Sequence, residues 1–205
     1  MKILKPKLVI VTGLSGSGKS IALRSLEDLG YFCIDNLSPT MIIKILGVIK
    51  KSNQKVYKKV AISIDIRSIK MDSDHQKSIA TLYAELLKLD FKSTTIFLHS
   101  STKILLSRFN ATRRLHPLTN NKIDLRTAIS KEAEVMQKLK ENSNLIIDTD
   151  KLLPLDLKKE IASKILIIKN NKDMLIQLQS FGYKNSIPNE SDFVFDVRCL
   201  KNPFW

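Results

Sequence analysis

The stretch "GLSGSGKS", residues 13–20, restricts what this chain can fold into more than any other. It fits G-x-x-x-x-G-K-[ST] at every fixed position, and its surroundings are the required ones. "KLVIVTG" (7–13) reads as a buried strand, and residues 20–29 follow with Ala22, Leu26 and Leu29 at helical spacing. Gly13, Gly16 and Gly18 permit positive φ and close approach of the backbone to oxygen atoms. The chain has six glycines, and placing three of them here concentrates that freedom in one loop. The N–H groups of Gly13, Leu14, Ser15, Gly16, Ser17, Gly18, Lys19 and Ser20 can then form an anion cradle continuous with a helix N-terminus. Lys19 would reach the β- and γ-phosphates of a nucleotide, and the Ser20 hydroxyl would ligate Mg²⁺.

The rest of the chain alternates short β-branched runs with stretches of helical period. Strands are expected at 31–36, 60–68, 94–100 and 144–150. Ser38-Pro39 is a helix start, an N-cap followed by proline at the first helical position. Further helices are expected over 74–88, over two stretches between the last two strands, and over 154–168. In the second of those stretches Leu125, Ala128, Ile129, Met136 and Leu139 share one face. Near-continuous apolar strands alternating with helices predict a parallel sheet covered on both faces. The expected fold is therefore α/β, a kinase-like P-loop three-layer sandwich around a mainly five-stranded parallel sheet. "IKNNKD" (168–173) is the one boundary, giving a nucleotide-binding domain over 1–170 and the start of a second α/β domain over 171–205. In the latter, "DFVFDVRCL" reads as a strand.

Composition sets broader bounds. With 43% hydrophobic residues, 205 residues can bury a core and are not a disordered polyelectrolyte. The net charge of +14 would suit an RNA partner. Ile, Lys and Asn are over-used throughout, however, and the lysines are scattered, so charge adds little to an RNA assignment. Cys33 and Cys199 are far apart and in no metal-ligand spacing, which points to a reducing cytoplasm. No run approaches the ~20 apolar residues a membrane span requires.

Other side chains could act on a bound nucleotide. Asp65 ends the apolar strand "AISID", where a carboxylate can hold Mg²⁺ or its water. Asp35 and Asp148 occupy similar strand-end positions, and for each the competing role is a turn or helix cap. Asp65 is preferred because the third strand commonly lies beside the loop strand in this architecture. Asp35 would be the base if the protein were a kinase. Arg113 and Arg114 in "NATRRLHP" fall where a lid could neutralise transferring phosphate, or could simply form a basic helix end. His116 has no partner visible in the sequence, so a structural role is expected.

Laid together, "SGSGKS.ALRSLEDLGY.CIDNL", "SIDIR", "TRRLHPL" and "SFGYKNSIP...DFVFDVR.L.NP.W" resemble the RapZ/YvcJ family of bacterial P-loop nucleotide-binding proteins. The resemblance runs in order from residue 8 to the last residue. It implies ATP at Gly13–Ser20 and a GTP-associated motif at Asp65, Ile66, Arg67 and Ser68. The fourth position of that motif is usually Asn in the family. It also implies weak ATPase and GTPase activity rather than a dedicated metabolic enzyme. As partners it implies small RNA and an endoribonuclease, in control of amino-sugar metabolism. A homo-oligomer is a separate expectation. Family members continue for roughly eighty further residues into a domain associated with RNA and sugar phosphates, so the chain is expected to lack most of that domain. A small-molecule or nucleoside kinase, or a fragment without function, are the competing readings.

Overall fold

The computed structural model describes residues 7–52, 54–70, 81–82, 84–86, 88–89, 91–169, 182 and 193–200. Five strands form one sheet: β1 (Lys7–Gly13), β2 (Phe32–Ile34), β3 (Lys59–Ile64), β4 (Lys92–His99) and β5 (Leu145–Asp148). Their order is β2-β3-β1-β4-β5, and every pairing is parallel. β1 is therefore central, with β3 on one side and β4 on the other, as the reading of Asp65 requires. The helices are α1 (Lys19–Asp28), α2 (Pro39–Lys51), α3 (Ile66–Lys70), α4 (Thr102–Thr112), α5 (Leu125–Glu141) and α6 (Pro154–Lys169).

The period of two along β1 explains the layers. Leu8 and Ile10 face one cluster, with Ile42 and Leu46 of α2, Leu105 and Phe109 of α4, and Ile129, Met136 and Leu139 of α5. Val9 and Val11 face the other, with Ala22, Leu23 and Leu26 of α1 and Leu157, Ile161 and Ile165 of α6. Both faces are thus buried, which is why β1 reads as an unbroken apolar run rather than an alternation. Each fully buried aliphatic side chain contributes about 1.5–3 kcal/mol, so the central strand is the best anchored place from which to present a loop.

Several boundaries differ from expectation. The third strand stops at Ile64 instead of Ser68, because the Asp65 carboxylate accepts backbone N–H bonds from Arg67 and Ser68 and starts α3. β2 is confined to Phe32–Ile34, and Asn36 with φ of 63° turns the chain soon after. As expected, Ser38 caps α2 through Met41 N–H, with Pro39 following. Within the helix expected over 74–88, residues 71–80 lie outside the described residues. Residues 81–82, 84–86 and 88 are helical, and Leu82 and Leu86 join the first cluster.

Contacts divide the chain into two units, Met1–Lys169 and Asn170–Trp205. In the second, residues 182 and 193–200 are described, and 193–200 form no strand. Extended backbone becomes a strand only with a ladder partner, and here Phe193 and Phe195 are about 80% exposed. The Asp196 carboxylate instead takes the N–H and guanidinium of Arg198, making a turn.

Candidate functional site

The crevice lies beyond the carboxyl ends of β1, β3 and β4, where open α/β sheets bind ligands. The loop leaves β1 at Gly13, whose φ is 140°. A Cβ there would overlap the carbonyl oxygen of Leu98 on β4, so the strand pairing itself requires glycine. Gly18 precedes α1 with φ of 104°, and a Cβ there would come within 2.7 Å of Leu157 Cδ2 on α6. Between them, Ser17 N–H closes a turn on Leu14 O at 3.1 Å. Gly16 and Ser20 are exposed, while Ser15 and Ser17 are buried.

Lys19 folds back over its own loop, its Nζ donating to Gly13 O at 2.9 Å and Leu14 O at 3.0 Å. Burial lowers its pKa from the ordinary lysine value, against the opposing carboxylates of Glu132, Asp65 and Asp35. Those carboxylates come from α5 and from the ends of β3 and β2, and their field converges on the one ammonium.

Asp65 is 3% exposed. Its Oδ2 accepts Arg67 Nε at 3.0 Å and Nη2 at 2.6 Å, while Oδ1 accepts the backbone N–H of Arg67 at 2.9 Å and of Ser68 at 3.2 Å. Burial pushes this carboxyl upward. The bond from Arg67, the charges of Lys19 and Arg67, and the Ser68 N–H outweigh it and hold the pKa below the usual carboxylate range. A depressed folded pKa stabilises the fold fully above the unfolded value of about 3.9 and loses that contribution as pH falls through the folded one. Asp65→Asn should therefore be less stable than wild type at neutral pH. Melting curves should converge as the pH drops below about 4. A constant gap across that window would contradict the assigned pairing.

Of the other expected site residues, Ile66 and Ser68 are 1% and 0% exposed, and Arg67 alone of that motif reaches solvent. Asp35 is exposed and its Oδ1 accepts Asn36 N–H at 2.8 Å, yet its charge still reaches Lys19 and Arg67. Asp148 is also exposed and accepts Asp150 N–H. Arg113 is the left-handed C-cap of α4, with φ of 52°. Arg113 and Arg114 are exposed and make no hydrogen bond or ion pair among the described residues.

Two groups in the site were not foreseen. Arg108 on α4 donates to Gly16 O at 3.1 Å and to the backbone and hydroxyl of Thr149, bracing the loop from the β5 side. Glu132 on α5 is wholly buried and receives Ser15 N–H, Ser15 Oγ–H and His116 Nε2. Its sequence signal was legible. Position 132 continues the apolar stripe of Leu125, Ala128, Ile129, Met136 and Leu139, and a carboxylate on such a stripe needs buried partners.

A parallel sheet of this order, with a glycine loop joining its central strand to a helix, defines a P-loop protein of the kinase-like kind. Solved structures agree on the fold. A gluconokinase from Sinorhizobium meliloti 1021 superposes with a TM-score of 0.52 at 18% identity, covering 81% of this chain and 95% of that one. A shikimate kinase from Acinetobacter baumannii gives 0.51 at 14% identity, covering 81% and 96%. Residues 6–170 match the RapZ-like N-terminal domain and residues 174–205 the RapZ C-terminal domain, and the chain belongs to the RapZ family. A nucleotide-binding protein of Shewanella baltica (strain OS155) is 44% identical over 200 residues, or 97% of this chain and 67% of that protein. One from Shewanella sp. (strain W3-18-1) is 43% identical over 199 residues with the same coverage. Among the described residues, no helix is long and apolar enough to cross a membrane.

Proposed function

We propose that this chain is a nucleotide-binding regulatory protein that hydrolyses nucleoside triphosphate slowly. The observation that carries the proposal is the loop geometry. Glycines sit where side chains would collide, and an ammonium lies folded over the cradle. The names of the Shewanella relatives support it. In this reading ATP occupies Gly13–Ser20, within a nucleotide-binding domain of residues 1–170, and residues 171–205 belong to a C-terminal domain. Ser20, in the first turn of α1, and Asp65, at the end of the adjoining strand, carry oxygens of the kind Mg²⁺ prefers, and Asp65 would hold the ion only once its Oδ2 releases Arg67. The ion would neutralise charge on the phosphates. Lys19 would turn from its carbonyls toward the incoming anion.

GTP recognition through Asp65–Ser68 is the finer form of the proposal. With Ile66 and Ser68 buried, it would depend on the exposed Arg67. The adaptor role, with small RNA and an endoribonuclease as partners, draws support from family membership and the +14 charge. A kinase reading has one specific observation in its favour, the electrostatic reach of Asp35 to Lys19. Incubation with γ-labelled ATP and a small-molecule extract separates the two. The regulatory reading expects slow release of label as inorganic phosphate only. Transfer of label to an organic acceptor would establish the kinase instead.

A further inference from the structure

Glu132 of α5 is hydrogen-bonded to the third residue of the glycine loop. Leu118 N–H donates to His116 Nδ1 at 3.1 Å, so that nitrogen carries a lone pair and Nε2 carries the proton. A neutral imidazole therefore donates to Glu132 Oε2 at 2.9 Å. Ser15 Oγ donates to Oε1 at 2.7 Å, and Ser15 N–H lies 3.0 and 2.9 Å from the two oxygens. Among the described residues the carboxylate thus has three neutral donors and no cation in direct contact. Its charge acts on Lys19, more strongly than Asp65 or Asp35 does, and also on Arg67. The loop consequently has its own buried anion beside it, bonded to its third residue and acting on its lysine.

We propose that Glu132 is a positioning residue that sets which phosphate chain the loop accepts. This rests on the nucleotide reading of the same site and adds selectivity to it. His116 and Ser15 hold the carboxylate where it fixes the loop and competes with phosphate for the field of Lys19. Each added negative charge on the ligand then meets a like charge that cannot move away or be solvated. The terminal phosphate is opposed more than the rest of the nucleotide, and the loop is biased toward diphosphate.

The test compares dissociation constants for Mg-ATP and Mg-ADP in wild type, Glu132→Gln and Glu132→Asp, by isothermal titration calorimetry on the full chain. Glu132→Gln should shift the ATP-to-ADP affinity ratio toward ATP by on the order of tenfold, since one ligand charge no longer faces one buried carboxylate. Glu132→Asp, which keeps the charge but withdraws it from Ser15, should weaken both nucleotides and leave the ratio near wild type. A merely structural glutamate would alter both affinities together, and an unchanged ratio in Glu132→Gln overturns the proposal. Should Glu132→Gln not fold, the triple variant Ser15→Ala, His116→Leu, Glu132→Met removes hydroxyl, imidazole and carboxylate together, and the same ratio is read on it. If wild type binds neither nucleotide, the nucleotide reading itself fails and this inference with it. Wild-type binding with an unmoved ratio removes the inference alone.

Discussion

Lys19→Ala should abolish the thermal stabilisation that saturating Mg-ATP confers on this protein. At a hundredfold excess over Kd, a ligand that binds only the folded state adds about 2.7 kcal/mol. For a chain of this size that corresponds to roughly 5–10 °C in melting temperature. Lys19 Nζ is satisfied by two loop carbonyls, and its ammonium is held against a burial penalty by carboxylates on three elements. Burial of that ammonium costs stability, which a phosphate bound beside it would offset. The alanine variant should therefore remain folded while its melting temperature ceases to respond to nucleotide. Differential scanning calorimetry with and without Mg-ATP measures both. A variant that still shifts like wild type would mean that the nucleotide is bound elsewhere.

Gly13→Ala should be the most destabilising single change in the loop. The residue has φ of 140°, and an added Cβ would collide with backbone of the neighbouring strand rather than with a side chain that could swing aside. A non-glycine residue in such a conformation costs about 1–3 kcal/mol before any clash is counted. Displacing β4 from the central strand raises the total to on the order of 3–5 kcal/mol, a large share of a domain's stability. Urea denaturation of the nucleotide-free protein reads this directly. Wild-type stability would mean that the β1–β4 pairing at Gly13↔Leu98 is misplaced.

What the sequence made legible followed from local chemistry. The glycine loop, the strand before it and the helix after it announce themselves because φ, hydrophobic period and capping act over a few residues. The sequence puts Asp65 at the end of the strand beside β1, but the strand it suggests runs four residues beyond Ile64. The run "SIDIRS" alternates isoleucine with polar residues as a strand would, and only the carboxylate's bonds to Arg67 and Ser68 reveal that a helix begins there. The same local rule governs Asp196 and Arg198, where the apolar pattern suggested a strand and a turn formed instead.

The Ser15–Glu132–His116 network was hidden for a different reason. Its members are separated by 117 and 16 residues, and no local pattern joins them. The burial of Glu132 was readable from its stripe, but its partner depended on α5 crossing the loop. His116 was expected to be structural, and it is buried, with its role defined by the carboxylate it orients. Arg108 was missed because α4 presents it among ordinary helix-surface residues, and only the fold brings Gly16 O and Thr149 within its reach.

The most direct test of the central claim is to map Mg-ATP binding by amide chemical shifts on the isotopically labelled chain. The largest perturbations should fall at Gly13–Ser20, Asp65 and Glu132, and should saturate with one equivalent of nucleotide. Perturbations confined to another surface, such as the cleft lined by Gly30–Phe32, Lys55, Val56, Lys58 and Lys59, would contradict nucleotide binding at the loop.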